Sequence, residues 1–136
     1  MVILSVDYGD MRTGIAVCDK LQMLASPIDV ITGDYEPKII DAVIERAKKH
    51  SAEKIVVGLP KNMDGSEGAR ADKCRAFAEA LQEKSGIETV LFDERLTTVS
   101  AHRVLSDNNV TGKKRKAVVD AVSAVIILEG YLAANK

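Results

Sequence analysis

Three short β-branched runs crowd into the first 31 residues with no room for a helix between them, and this restricts the fold more than any other feature of the chain. Residues 2–6 form the first run and 14–18 the second, joined by a tight link containing Gly9 and Asp10 that reads as a hairpin. Residues 28–31 form the third, closed by Thr32-Gly33-Asp34. The pattern then changes. Pro37 suits a first helical turn, and Ile39, Ile40, Val43, Ile44 and Ala47 recur at helical spacing. Ile55-Val56-Val57 is a buried strand stopped by Gly58-Leu59-Pro60. After a loop to Gly68, residues 69–84 read as a helix with Ala76, Phe77, Ala80 and Leu81 as its apolar stripe, ended by Ser85-Gly86. Residues 89–92 give the last strand, running into Asp93-Glu94-Arg95. Helices are expected at about 98–105 and 116–134, with a mobile polar loop over 106–114.

A meander followed by strand-helix-strand-helix-strand gives three antiparallel strands plus two parallel additions. Right-handed crossovers set the fourth and fifth strands beside the first. The expected architecture is therefore α/β: a mixed five-stranded sheet of order 3-2-1-4-5 with helices on both faces, the ribonuclease-H-like fold. With 136 residues the chain is expected to be a single domain, 1–136.

Composition narrows the chemistry. Hydrophobic residues at 46% and charged residues at 29% are ordinary for a water-exposed globule, and no apolar run approaches the ~20 residues of a membrane span. The start lacks a basic segment and cleavage site, so a cytoplasmic location and no membrane partner are expected. Cys18 and Cys74 stand alone, and only His50 and His102 are present, so neither a zinc site nor a disulfide framework is encoded. A net charge of −1 argues against coating nucleic acid, yet leaves room for gripping a few phosphates. Lys113, Lys114, Arg115 and Lys116 form one basic block, and Arg70, Lys73 and Arg75 another; each also reads as a solvated loop or helix face.

Acidic residues carry the remaining signal. Asp7 ends an apolar central strand at the carboxyl edge, where open α/β sheets bind ligands; the alternative is a turn residue before Gly9. Asp93 and Glu94 end the fifth strand in the same way. Asp120 lies in a helix apolar nearly all round, with Ala124 and Ile127 on its face. A carboxylate there must be paired, hydrogen-bonded or metal-bound, and a salt bridge to Arg12 or Arg95 is the alternative to a metal. Strands lie ~4.8 Å apart, so the ends of the first and fifth are about 10 Å apart. Two metals ~3.5–4 Å apart, each ~2.1 Å from its oxygen, span much of that gap, and the longer glutamate closes the rest. Glu94 is therefore preferred over Asp93. An all-carboxylate set of Asp7, Glu94 and Asp120 selects magnesium or manganese, and serves both as metal ligands and as the catalytic group.

Four motifs, Asp7-Tyr8-Gly9-x-x-Arg12-x-Gly14, Gly58-Leu59-Pro60 with Asp64-Gly65, Asp93-Glu94-Arg95-x-Thr97-Thr98 and Lys116-x-x-x-Asp120, occur in this order along the chain. Together they resemble the YqgF/RuvX family over essentially its whole length. That family resembles the RuvC Holliday-junction resolvases in fold. The resemblance implies a nuclease that processes the 5′ end of pre-16S ribosomal RNA in the bacterial cytoplasm, with its acidic positions on Asp7, Glu94 and Asp120. Resolvases carry an acidic residue on the fourth strand; here that strand ends in Gly58-Leu59-Pro60, so an acidic group on the fifth must substitute.

The other motif residues are candidates for holding substrate. Gly9 and Gly14 would let the hairpin backbone approach a phosphate with Arg12 as a bidentate donor, or Arg12 is a surface turn residue. Gly58 and Gly65 would keep the fourth-strand loop close to substrate, or they are loop punctuation. Arg95 would neutralise the carboxylates or hold the scissile phosphate, or it pairs with Asp93. Thr97 or Thr98 reads as a helix N-cap. Lys113, Lys114 and Lys116, on the loop before the Asp120 helix, would clamp a nucleic-acid backbone. Aromatic residues are only 4%, so phosphate contacts rather than base stacking are expected to dominate. The expected partner is precursor ribosomal RNA, with help from the ribosomal particle left open, and the chain acts as a monomer or weak homodimer. A DNA junction resolvase, a nucleotide-binding module with the phosphate hairpin of the actin and sugar-kinase superfamily, and a non-catalytic ribosome-assembly binder remain alternatives.

Overall fold

The computed structural model describes residues 1–62, 64–93 and 112–135, with the backbone alone over 112–121. The elements run β1 (Ile3–Tyr8), β2 (Arg12–Cys18), β3 (Ala25–Thr32), α1 (Glu36–Lys49), β4 (Lys54–Leu59), α2 (Ala69–Ser85), β5 (Glu88–Asp93) and α3 (Gly112–Ala134). The expected helix at 98–105 lies outside the described residues.

All five strands share one sheet of order β3-β2-β1-β4-β5. The first three pair antiparallel, and β4 and β5 run parallel to β1 and to each other. This is the expected topology, and it follows from connection length. The three-residue β1–β2 link permits only a hairpin, whereas α1 and α2 supply the crossovers that parallel pairing demands.

The sheet separates two cores. Leu4, Val6 and Tyr8 of β1, with Ile55, Val57 and Leu59 of β4, pack against α1 and α2 through Ile40, Val43, Phe77 and Leu81. Ile3 and Val56 pack on the opposite face with Ile127, Leu128 and Leu132 of α3, joined by Val90, Phe92 and Tyr131. α1 is tied to the edge strand β3 by a two-pronged Arg46–Asp29 bond, 2.8 and 2.7 Å long. α2 ends at Gly86, whose φ of +73° is the left-handed cap that a side chain resists. Cys18 and Cys74 are both buried, one in each core, so the sheet itself keeps them apart. Among the described residues no helix is long and apolar enough to cross a membrane.

Several boundaries differ from the sequence expectation, and the differences bear on the site. β1 continues to Tyr8, so Asp7 lies inside the strand rather than at its end. Pairing of Asp7 with Gly14 and of Tyr8 with Thr13 carries the ladder through a residue of poor strand propensity. Arg12 opens β2 and is not a turn residue, and Gly58 lies within β4 rather than in the following loop. α3 begins at Gly112, so Lys113, Lys114 and Lys116 lie on the helix and not on a loop before it. Basic residues in a first helical turn oppose the helix dipole, which is why the sequence reads as loop there, but lysine and arginine are good helix formers.

Candidate active site

β1 alternates its side chains between the two cores: Leu4, Val6 and Tyr8 face α1 and α2, which leaves Ile3, Ser5 and Asp7 on the α3 face. Asp7 is half-buried near the carboxyl end of the strand. Its lateral neighbour on β2 is Gly14. On the other side β1 pairs Val6 with Val57, which brings Asp7 beside Gly58 of β4. Gly14 and Gly58 are both buried, and neither carries a side chain on the α3 face. The strand positions on either side of Asp7 therefore carry no side chain. Sequence reasoning assigned these glycines to backbone approach; their flanking of Asp7 requires the strand register, which no local pattern encodes.

The third glycine, Gly9, answers a different demand. A Cβ on Gly9 would lie 2.1 Å from the Arg12 carbonyl oxygen, so only glycine lets the hairpin close this tightly. The closure brings Arg12 to the same sheet edge as Asp7, and the alternation of β2 gives it the parity of Gly14 and Cys18, the α3 face.

α3 approaches Asp7 from above. Ser5 is fully buried, and its hydroxyl donates a 2.6 Å hydrogen bond to the Ala124 carbonyl. Two residues earlier on β1, Ile3 packs with Ile127, Leu128 and Leu132. Moving forward along β1 thus means moving backward along α3. From Ser5 to Asp7 the strand advances ~6.7 Å, and from Ala124 to Asp120 the helix retreats ~6 Å. Asp120 occupies the helical position one turn before Ala124, at the level of Asp7; its side chain lies outside the described residues.

β5 completes this edge. Gly58 pairs with Phe92 and Leu59 with Asp93. Phe92 packs with the α3 core and meets Tyr131 edge-on, whereas Leu91 packs with the opposite core. Asp93 therefore has the parity of Leu91 and faces away from Asp7. Glu94 and Arg95 lie outside the described residues, as do the side chains of Lys113, Lys114 and Lys116. Among the described residues no three His, Cys, Asp or Glu side chains form a metal-holding group.

The second basic block has a structural role. Arg70 donates to Asp10 at 2.6 Å and to the Tyr8 carbonyl at 2.7 Å, with Lys73 3.9 Å from Asp10. Arg75 grips Glu67 through bonds of 2.7 and 2.8 Å, which holds the Glu67 carboxyl below the usual range. Beside the site, Tyr8 stacks on Phe77 at 4.0 Å, and burial followed by the nearby Glu36 carboxylate raises its phenol pKa. Loop residues Asn62, Asp64 and Ser66 close a turn around Gly65, with the Ser66 amide and hydroxyl donating to Asp64 at 2.9 and 2.6 Å. Gly65 is thus accounted for by the turn.

Comparison with known proteins identifies the family. The family model described as "RuvX: Holliday junction resolvase" matches residues 1–134. A protein of Halothermothrix orenii named "Putative pre-16S rRNA nuclease" is 47% identical over 135 residues, covering 97% of this chain and 94% of its own. A protein of the same name from Bacillus cytotoxicus is 44% identical over 134 residues, covering 97% and 98%. Among solved structures, T. thermophilus RuvC in complex with a Holliday junction superposes with a TM-score of 0.60 over 99% of this chain and 95% of that one, and at 15% identity this shows the shared ribonuclease-H-like fold. By family model and by full-length relatives alike, the chain belongs to the RuvX family of nucleases.

Proposed function

We propose that this nuclease is divalent-metal dependent, that it cuts phosphodiesters at the carboxyl edge of β1, and that its substrate is the 5′ region of precursor 16S ribosomal RNA in the cytoplasm. One observation carries the reading. A half-buried carboxylate, Asp7, is flanked by two side-chain-free positions, and the antiparallel run of α3 over β1 brings the backbone position of Asp120 to the same level. Asp93 faces away from Asp7, which leaves Glu94, next in sequence, as the preferred third carboxylate.

This donor set fits a hard cation: carboxylate oxygens, no competing thiol or imidazole at these positions, and side-chain-free neighbours at Gly14 and Gly58. Asp7, Glu94 and Asp120 would hold magnesium or manganese, which supplies Lewis acidity at the scissile phosphate and lowers the pKa of an attacking water. The chain's own residues do the rest. Arg12, on the same edge and face as Asp7, donates to a phosphate oxygen. Arg95, next to Glu94 in sequence, offsets the concentrated negative charge. Lys113, Lys114 and Lys116, on the first turns of α3, hold the nucleic-acid backbone, so binding weakens with salt. Gly9 and Gly58 keep the approach low enough for a phosphate to reach Asp7.

The names of the full-length relatives favour precursor ribosomal RNA, and the description of the family model favours a four-way DNA junction. Single-turnover cleavage with magnesium separates the two. Cleavage of a 5′-extended 16S precursor, abolished in Asp7→Asn and absent on a four-way junction, is the expected result. Equal cleavage by Asp7→Asn would remove the proposed centre, and junction nicking without RNA cleavage would reassign the substrate.

A further inference from the structure

Apolar packing between α3 and the sheet is non-directional, so Ile127, Leu128 and Leu132 can bury the same surface with the helix slid along its axis. A hydrogen bond cannot slide, because its distance and angle are narrow. Ser5 makes such a bond from the middle of β1, fully buried, to a carbonyl in the middle of α3. That carbonyl belongs to a helical turn with an N–H partner of its own, so the serine is not needed to satisfy it. The other described polar tie between α3 and the sheet, Lys54 Nζ to the Tyr131 hydroxyl at 3.0 Å, joins two long side chains at the opposite end of β4 from Gly58 and constrains the backbone far less. Ser5 also lies two residues before Asp7, and Ala124 four after Asp120.

From this juxtaposition we infer that Ser5 is the positioning residue of the site: its bond to Ala124 sets the axial register of α3, and thereby the spacing at which Asp7 and Asp120 share a cation. The inference rests on the metal-centre reading above and adds to it the residue that fixes the spacing. A carboxylate pair displaced by about 1 Å binds metal poorly and catalyses about 100-fold more slowly, while the fold barely notices.

The test counts bound Mn2+ on the full-length chain by electron paramagnetic resonance of the free ion, for wild type, Ser5→Ala, Ser5→Cys and Asp7→Asn, with thermal melts in chelator alongside. The expected order of Mn2+ affinity is wild type, then Ser5→Cys, then Ser5→Ala weaker by about tenfold, with Asp7→Asn lowest. Melting temperatures of the Ser5 variants in chelator should not track that order, and raised Mn2+ should partly restore Ser5→Ala. Wild-type affinity in both Ser5 variants, with Asp7→Asn deficient, would overturn the positioning role and leave the metal centre standing. Wild-type affinity in Asp7→Asn would overturn the centre and the positioning role together. Should Ser5→Ala not fold, the Cys variant decides alone, since its bulkier thiol leaves no cavity but donates only weakly.

Discussion

The guanidinium of Arg70 closes on the backbone carbonyl of Tyr8 at 2.7 Å, clamping the first turn of α2 to the strand that carries Asp7. The same group pairs with Asp10 at 2.6 Å at the hairpin tip. These two contacts differ in worth. Asp10 is well exposed, so its ion pair is screened and contributes little, under about 1 kcal/mol. The Tyr8 carbonyl is less exposed and accepts from a charged donor, which makes that bond the stronger of the two. Arg70→Ala should therefore lower stability by about 1–2 kcal/mol in urea melts, and Asp10→Ala by less than half as much. An equal loss in the two variants would mean that the ion pair, not the carbonyl contact, braces the hairpin.

Gly9→Ala tests how tightly that hairpin is closed. Its added methyl would sit 2.1 Å from the Arg12 carbonyl oxygen, a backbone atom that cannot rotate away. The hairpin must open, and a loss of about 2–4 kcal/mol is expected. At Gly68 the same added methyl meets nothing within 4 Å, so Gly68→Ala should change stability by less than about 1 kcal/mol. Comparable midpoints for the two variants would show that the β1–β2 link is looser than described.

These residues also show what a sequence can disclose. The sheet order was readable because periodicity and connection length are local properties, and right-handed crossovers leave one arrangement for β4 and β5. The location of Asp7 near a carboxyl edge was readable for the same reason. That Asp7 is flanked by Gly14 and Gly58 was not, since it depends on strand register across residues seven and 51 positions apart. The Ser5–Ala124 bond spans 119 positions and left no pattern at all. The block Arg70, Lys73 and Arg75 suggested a phosphate grip, but Asp10 and Glu67 supply its partners from loops whose approach only the fold reveals. Helix start signals failed at Gly112 because charge and propensity point in opposite directions there.

Tyr8 gives a pH dependence with a definite sign. Burial, and then the Glu36 carboxylate 3.5 Å from its hydroxyl, raise the phenol pKa above the ordinary tyrosine value. The fold favours the neutral phenol, so this group's contribution is full below about pH 10 and is lost as pH rises through the folded-state value. Tyr8→Phe keeps the ring stacked on Phe77 and gives up one long contact, so its stability near neutrality should fall by less than about 1 kcal/mol. Between about pH 10 and 12 its stability curve should be flatter than that of the wild type. Parallel alkaline limbs in urea melts would assign the loss to other groups.

The two glycines that flank Asp7 make the sharpest demand on the metal-centre reading. A ligand that binds only the folded chain, present at about 100 times its dissociation constant, stabilises by about 2.7 kcal/mol. For a chain of 136 residues that is a rise of roughly 8–10 °C in melting temperature. Wild type should show such a rise when Mn2+ replaces chelator. Gly58→Ala puts a methyl on the α3 face next to Asp7, in the space the cation and phosphate would use. Its melting temperature in chelator should fall through overpacking of about 1–3 kcal/mol, and its rise with Mn2+ should disappear. Ala47→Val adds bulk in the core on the opposite face of the sheet, away from Asp7 and Ser5. It should lose similar stability in chelator yet keep most of the Mn2+ rise. If Gly58→Ala retained the full rise, the space beside Asp7 would not be where the cation binds, and the two glycines would be there only for the packing of α3 on the sheet.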